Sequence, residues 1–238
     1  YLIESINITK AIMEKLNITF NLFRVVDGRT PIDIYADFIK SIYSDTLGYG
    51  FTDVYLDEMV ISALLVKKIP TYYKTWNETQ QMMENKTLLI MKEIKFFMDF
   101  KSHHIYVEGG VSSMNHLKQA LRNTCWKTFV YEDLTIKPFN LLQSFIKDNI
   151  METLNEICIS DFKFENVLIG KYTAKLIGSK IPFDLIQQHS DTISKFKASV
   201  QIEDAEAEIT VKNRNSMAIS CSEEDKYTVF DYISSKIY

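Results

Sequence analysis

Residues 87–100, TLLIMKEIKFFMDF, and 103–108, HHIYVE, form the stretch that decides the fold class. Both are rich in β-branched and aromatic residues, and Lys101-Ser102 separates them. Two such runs joined by a short polar break predict an antiparallel hairpin. Gly109-Gly110 ends it, and Ser112 or Ser113 is placed to cap a helix with Met114, Leu117 and Leu121 on its inner face.

Working back towards the N-terminus, residues 58–69 read as a strand stopped by Pro70, and 71–86 as a polar loop or irregular helix with three aromatics. Thr30, Pro31 and Asp33 mark a helix start, followed by an apolar stripe at Ile34, Tyr35, Phe38, Ile39, Ile42 and Tyr43. Residues 17–26 alternate as a strand that ends at Asp27-Gly28, while residues 2–16 fit either a helix or a strand.

Working forward, a strand is expected near 129–136. The longest helix is expected at about 139–156, on a stripe from Phe139 to Ile157, with a strand at 157–164. The pattern restarts near Gly170 with strands at 171–177, 193–202, 205–212 and 216–221, a short helix at 182–189 and a last helix at 224–237. The C-terminal part thus reads β-α-β-β-β-α. Hairpins dominate and regular βαβ alternation is missing, so the class is α+β with mixed or antiparallel sheets and packed helices. A boundary near 165 divides the chain into an N-terminal domain, 1–164, and a smaller C-terminal domain, 165–238. No linker-like stretch marks it, and one continuous core is the alternative.

The 238 residues carry 27 Lys+Arg and 31 Asp+Glu, a net charge of −4. Residues 165–238 hold 9 basic and 11 acidic residues, so each half carries −2. That balance excludes a dedicated cationic coat while leaving room for a local basic groove. Cys125, Cys158 and Cys221 are odd in number and form no CxxC pair, which points to a reducing compartment and removes a cysteine-based zinc site. No apolar run approaches the roughly 20 residues of a membrane helix. The start, YLIESINITK, lacks the basic head and apolar core of a signal peptide. The expectation is a cytoplasmic protein without a membrane partner.

Three constellations carry chemistry. Tyr72, Tyr73, Lys74 and Trp76 place rings beside a cation, the combination that stacks nucleic-acid bases, and Lys163, Lys171, Lys175 and Lys180 make a second basic stretch. Glu93 and Lys95 fall on one face of a strand, and Asp99 shares their parity. This is an acid-x-lysine pattern of metal-dependent nucleases, in which acids hold Mg²⁺ and a lysine stabilises charge. Asp53 or Asp57 would supply another acid. Gly109, Gly110, Ser112 and Ser113 join a strand to a helix start, where backbone N–H groups favour a phosphate. They lack a P-loop lysine, and Glu108 beside them opposes an anion. His103 and His104 are consecutive on a strand and face opposite ways, so no metal site is expected from them.

The reading that follows is a non-catalytic nucleic-acid- or protein-binding module with no evident cofactor. The alternatives are a Mg²⁺-dependent nuclease built on Glu93, Lys95 and Asp99, and a phosphate-ligand binder at Gly109–Ser113.

Overall fold

Gly50 shows how tightly the first part of the chain is wound. A Cβ at this position would lie 2.1 Å from the backbone N and Cα of Tyr43, so only glycine lets the two segments pass. The computed structural model describes residues 14–164, 168–176 and 182–237. The undecided helix-or-strand reading of residues 2–16 falls mostly outside them.

In chain order the elements are β1 (Glu14–Val25), α1 (Pro31–Lys40), β2 (Tyr49–Asp57), β3 (Val60–Asn77), β4 (Met82–Asp99), β5 (His104–Glu108), α2 (Val111–Thr124) and β6 (Phe129–Asp133). They continue with α3 (Pro138–Lys147), β7 (Met151–Phe164), β8 (Leu168–Lys175), α4 (Phe183–Gln188), β9 (Ile193–Ile202), β10 (Ala205–Lys212), β11 (Ser216–Cys221) and α5 (Lys226–Lys236). The chain is a sheet-rich α+β protein with antiparallel strand pairing. None of its described helices is long and apolar enough to cross a membrane. Two compact units divide between Leu134 and Thr135, ahead of the boundary expected near 165.

In the unit spanning Ile18–Leu134, strands run in the order β2-β3-β4-β5-β1, with β6 also paired to β1. Thr30 and Asp33 start α1: the Asp33 carboxylate accepts hydrogen bonds from the Thr30 N–H at 2.8 Å and its hydroxyl at 2.7 Å. The helix buries Ile34 and Phe38, and the Phe38 ring stacks on Phe51 of β2 with centroids 4.7 Å apart. α2 buries Met114, Leu117, Ala120 and Leu121 in the same core, against Leu65, Ile94, Phe96 and Val107. Its N-cap is Gly110 rather than Ser112 or Ser113, which fall inside the first turn.

The unit from Thr135 onward pairs β11-β10-β9-β7-β8. Inward side chains alternate along β9 and β10, with Phe196, Ala198, Ile209 and Val211 buried. α3 places Phe145 edge-on to Phe196 at 5.9 Å, and α5 buries Val229, Phe230 and Ile233. The long helix expected over 139–156 stops at Lys147. Asn149 turns the chain with φ 55°, and Leu154 and Ile157, read as its helical stripe, belong to β7. Each unit contains a three-stranded meander followed by a helix: β3-β4-β5-α2 in one and β9-β10-β11-α5 in the other.

Candidate functional site

The segment expected to be a polar loop or irregular helix, 71–86, is strand on both sides of a tight turn. β3 and β4 are each 18 residues long and stay in register from Val60↔Asp99 to Asn77↔Met82. Thr71, Tyr72, Tyr73, Thr75 and Trp76 are strong strand formers. The Asn77 side chain closes the turn, accepting from the Gln80 N–H at 3.0 Å and donating to Glu84 at 2.7 Å. Pro70 does not stop β3, because it lies beyond Lys67, the last residue paired to β2, where one edge has no strand neighbour to receive a donor.

This geometry makes an arm. The pairing of β2 to β3 ends at Lys67, and that of β5 to β4 begins at Phe96. Between these limits each strand has only the other as a strand neighbour among the described residues, over roughly 33 Å at about 3.3 Å per residue. One face continues the core face, where Ile61, Leu65, Ile94 and Phe96 are buried, and it carries Ile69, Tyr73, Leu88 and Ile90 into solvent. The opposite face carries Tyr72, Lys74 and Trp76 from β3 beside Met83, Asn85, Thr87 and Leu89 from β4. Tyr72 is 74% exposed and Trp76 56%. Tyr73 lies on the other face, so the aromatic cluster read in the sequence divides between the two sides.

Residues 67–95 hold six lysines and three glutamates, a net +3, whereas the whole chain carries −4 and the remainder therefore −7. Lys68 pairs with Asp45 at 2.6 Å, which raises the lysine and holds the carboxylate below its ordinary range. Lys86 pairs with Glu84 at 2.8 Å. Lys74, between the two rings, is exposed and has no ion pair among the described residues.

At the root of the arm, Lys67 donates to Gln119 at 2.6 Å and Lys92 to the Ser113 hydroxyl at 3.0 Å. Both lysines depress the nearby His116 imidazole, whose main downward push is burial. This basic group beside the first turns of α2 was not legible in the sequence, because it joins residues from two strands and a helix. Gly109, with φ +140°, accepts at its carbonyl from the Thr19 hydroxyl at 2.8 Å, and a Cβ there would lie 2.5 Å from Ser113 Oγ. Ser113 is buried, while Gly110 and Ser112 face solvent.

Glu93 and Lys95 share the face bearing Tyr72 and Trp76. Glu93 is exposed, and Lys95 lies 3.9 Å from Glu108 on β5. Asp99 caps the β4–β5 turn, accepting from the N–H groups of Lys101 at 2.8 Å and Ser102 at 3.2 Å and from the Ser102 hydroxyl at 2.5 Å. It stands six residues from Glu93, about 20 Å along a strand. Asp57 and Asp99 oppose the same residue, Val60, from flanking strands and lie two strand spacings apart, about 10 Å. Among the described residues no group of three or more His, Cys, Asp or Glu side chains is placed to hold a metal ion.

A cavity of about 300 Å³ lies where α2 ends and β6 begins, lined by Arg122, Cys125, Trp126, Lys127, Phe129 and Tyr131. Burial pushes the Cys125 thiol up to about 12 and raises the Tyr131 phenol, whose hydroxyl is buried without a hydrogen-bond partner among the described residues. The Lys118 ammonium sits 5.2 Å from the Tyr131 ring centre. The chain matches no family model and no curated protein.

Proposed function

We propose that this protein is a non-catalytic binding module that takes single-stranded nucleic acid on the β3–β4 arm. The observation that carries this reading is the exposed row Tyr72, Lys74, Trp76, which alternates ring, cation, ring along one face of β3. Side chains two residues apart on a strand stand about 7 Å from one another. A base on each ring brings the intervening phosphates past Lys74. Stacking of this kind tolerates any base, and the cation follows the backbone. The net +3 on the arm of an acidic chain supports the same reading, because phosphate attraction favours this surface over the rest of the molecule. Lys67 and Lys92 at the root point to the other face of the ribbon, beside α2, and take no part in this row. The β-α-β-β-β-α run at the C-terminus is the scaffold in this account.

Fluorescence anisotropy of a labelled single-stranded oligonucleotide, titrated with the full chain at low and high salt, tests it. Binding that weakens steeply with salt is expected, with a preference for single strands over duplex. A flat titration at low salt removes the reading.

A further inference from the structure

We infer that the β4 edge of the arm is a self-association surface, on which a second copy of this chain adds its own β4 antiparallel. From Met82 to Ile94, β4 has a strand neighbour on one side only among the described residues. An open edge of this length offers a row of free backbone donors and acceptors, which proteins that stay alone block with charge, proline or bulges. The β3 edge of the same arm is blocked in this way, by Pro70 and Lys74. The β4 edge is not. Thr87-Leu88-Leu89-Ile90-Met91 contains no charge, proline or glycine, and Leu88, Leu89, Ile90 and Met91 are 54%, 62%, 40% and 50% exposed. Uncharged runs of this composition are strand-pairing segments.

A second copy is the occupant that this edge fits. Two identical antiparallel strands are related by a two-fold axis perpendicular to the ribbon, and the contact closes on itself. Such an axis keeps the two faces distinct, so each residue opposes one of its own parity. Charge selects the register. With the axis at Leu88, Leu88 opposes itself, Lys86 opposes Ile90, and Glu84 opposes Lys92 of the second copy, twice over. With the axis at Leu89, Lys86 would oppose Lys92, a like-charge pair on a sheet. The Leu88 register therefore pairs nine residues from Glu84 to Lys92 with complementary ends. It also brings the Tyr72–Lys74–Trp76 rows of both copies to the same side of a four-stranded ribbon. The inference does not depend on nucleic-acid binding.

Sedimentation velocity on the full chain over a wide concentration range, combined with cysteine cross-linking, tests it. Directly opposed strand residues have Cα atoms about 4.5–5.5 Å apart, within disulfide range. The three native cysteines are buried, so they contribute little background. The expected results are a concentration-dependent dimer, at least tenfold more disulfide-linked dimer from L88C than from L89C under mild oxidation, and loss of the dimer in L88K. E84K is expected to weaken the dimer, and adding K92E to restore it. A chain that sediments as a monomer throughout and does not cross-link through L88C overturns the inference and leaves the edge to a different partner. Preferential cross-linking through L89C overturns it as well. A monomer that still binds the oligonucleotide separates this failure from that of the proposed function.

Discussion

Tyr72 and Trp76 stand four residues apart on one strand, on the same face, with the exposed Lys74 between them. Both rings project from a ribbon that leaves the core behind at Lys67. Their exposure has no packing explanation among the described residues, and burying such rings is normally a large gain.

Lys74 contributes charge to that row without being tied up by a carboxylate. In the oligonucleotide titration, K74A lowers affinity and reduces the slope of log K against log salt by about 0.7, one phosphate contact for a single strand. An unchanged slope would place the phosphate track elsewhere on the arm.

Gly50 makes a different kind of prediction, about the scaffold that holds the arm. G50A drives a methyl group into the Tyr43 backbone. A loss of roughly 2–3 kcal/mol or more is expected, because the contact is to main chain and not to a side chain that can swing away. Chemical denaturation measures it, and a variant as stable as the parent would contradict the packing described.

Asp148 ties α3 to α5. Its carboxylate accepts from the Tyr232 hydroxyl at 2.7 Å and lies 2.7 Å from the Lys236 ammonium. These partners, Lys236 first, hold it below the usual carboxylate range. A folded-state pKa below the unfolded one gives stability that is present above the ordinary aspartate value and lost as the pH falls through the lowered one. Thermal unfolding from pH 7 down to pH 2 therefore shows a steeper acid loss in the parent than in D148N. Equal acid slopes would mean that the contact adds nothing.

Tyr131 buries a hydroxyl with no described partner. An unsatisfied buried polar group costs about 1–3 kcal/mol. Y131F keeps the ring against Phe129 and removes the hydroxyl, so it leaves stability unchanged or raises it by about 1 kcal/mol in chemical denaturation. A clear destabilisation would reveal a hydrogen bond made in solution.

The strands β9, β10 and β11 were legible because they alternate cleanly and are separated by acidic or asparagine turns. β10 and β11 fall on their expected residues. The arm was not legible. Pro70 normally ends a strand, and only knowing that its edge is open explains why it does not. The helix expected over 139–156 failed for a related reason: Ile150, Leu154 and Ile157 fit a helical stripe as well as they fit a strand, and Asn149 at φ 55° decides between the two. At the site, Tyr72 and Trp76 are visible as residues, but their shared face depends on strand pairing across a stretch whose polar composition predicts a loop or irregular helix. The root cluster of Lys67, Lys92 and His116 depends on tertiary pairing and leaves no local signal.

The most direct measurement is the affinity of the full chain for a short labelled single strand, before and after Y72A and W76A. Each ring lost costs about 1–3 kcal/mol if it stacks on a base, roughly five- to 150-fold in Kd. Both variants are expected to fall in that range with folding intact, and the double variant to lose binding. Unchanged affinity in the double variant would contradict the account.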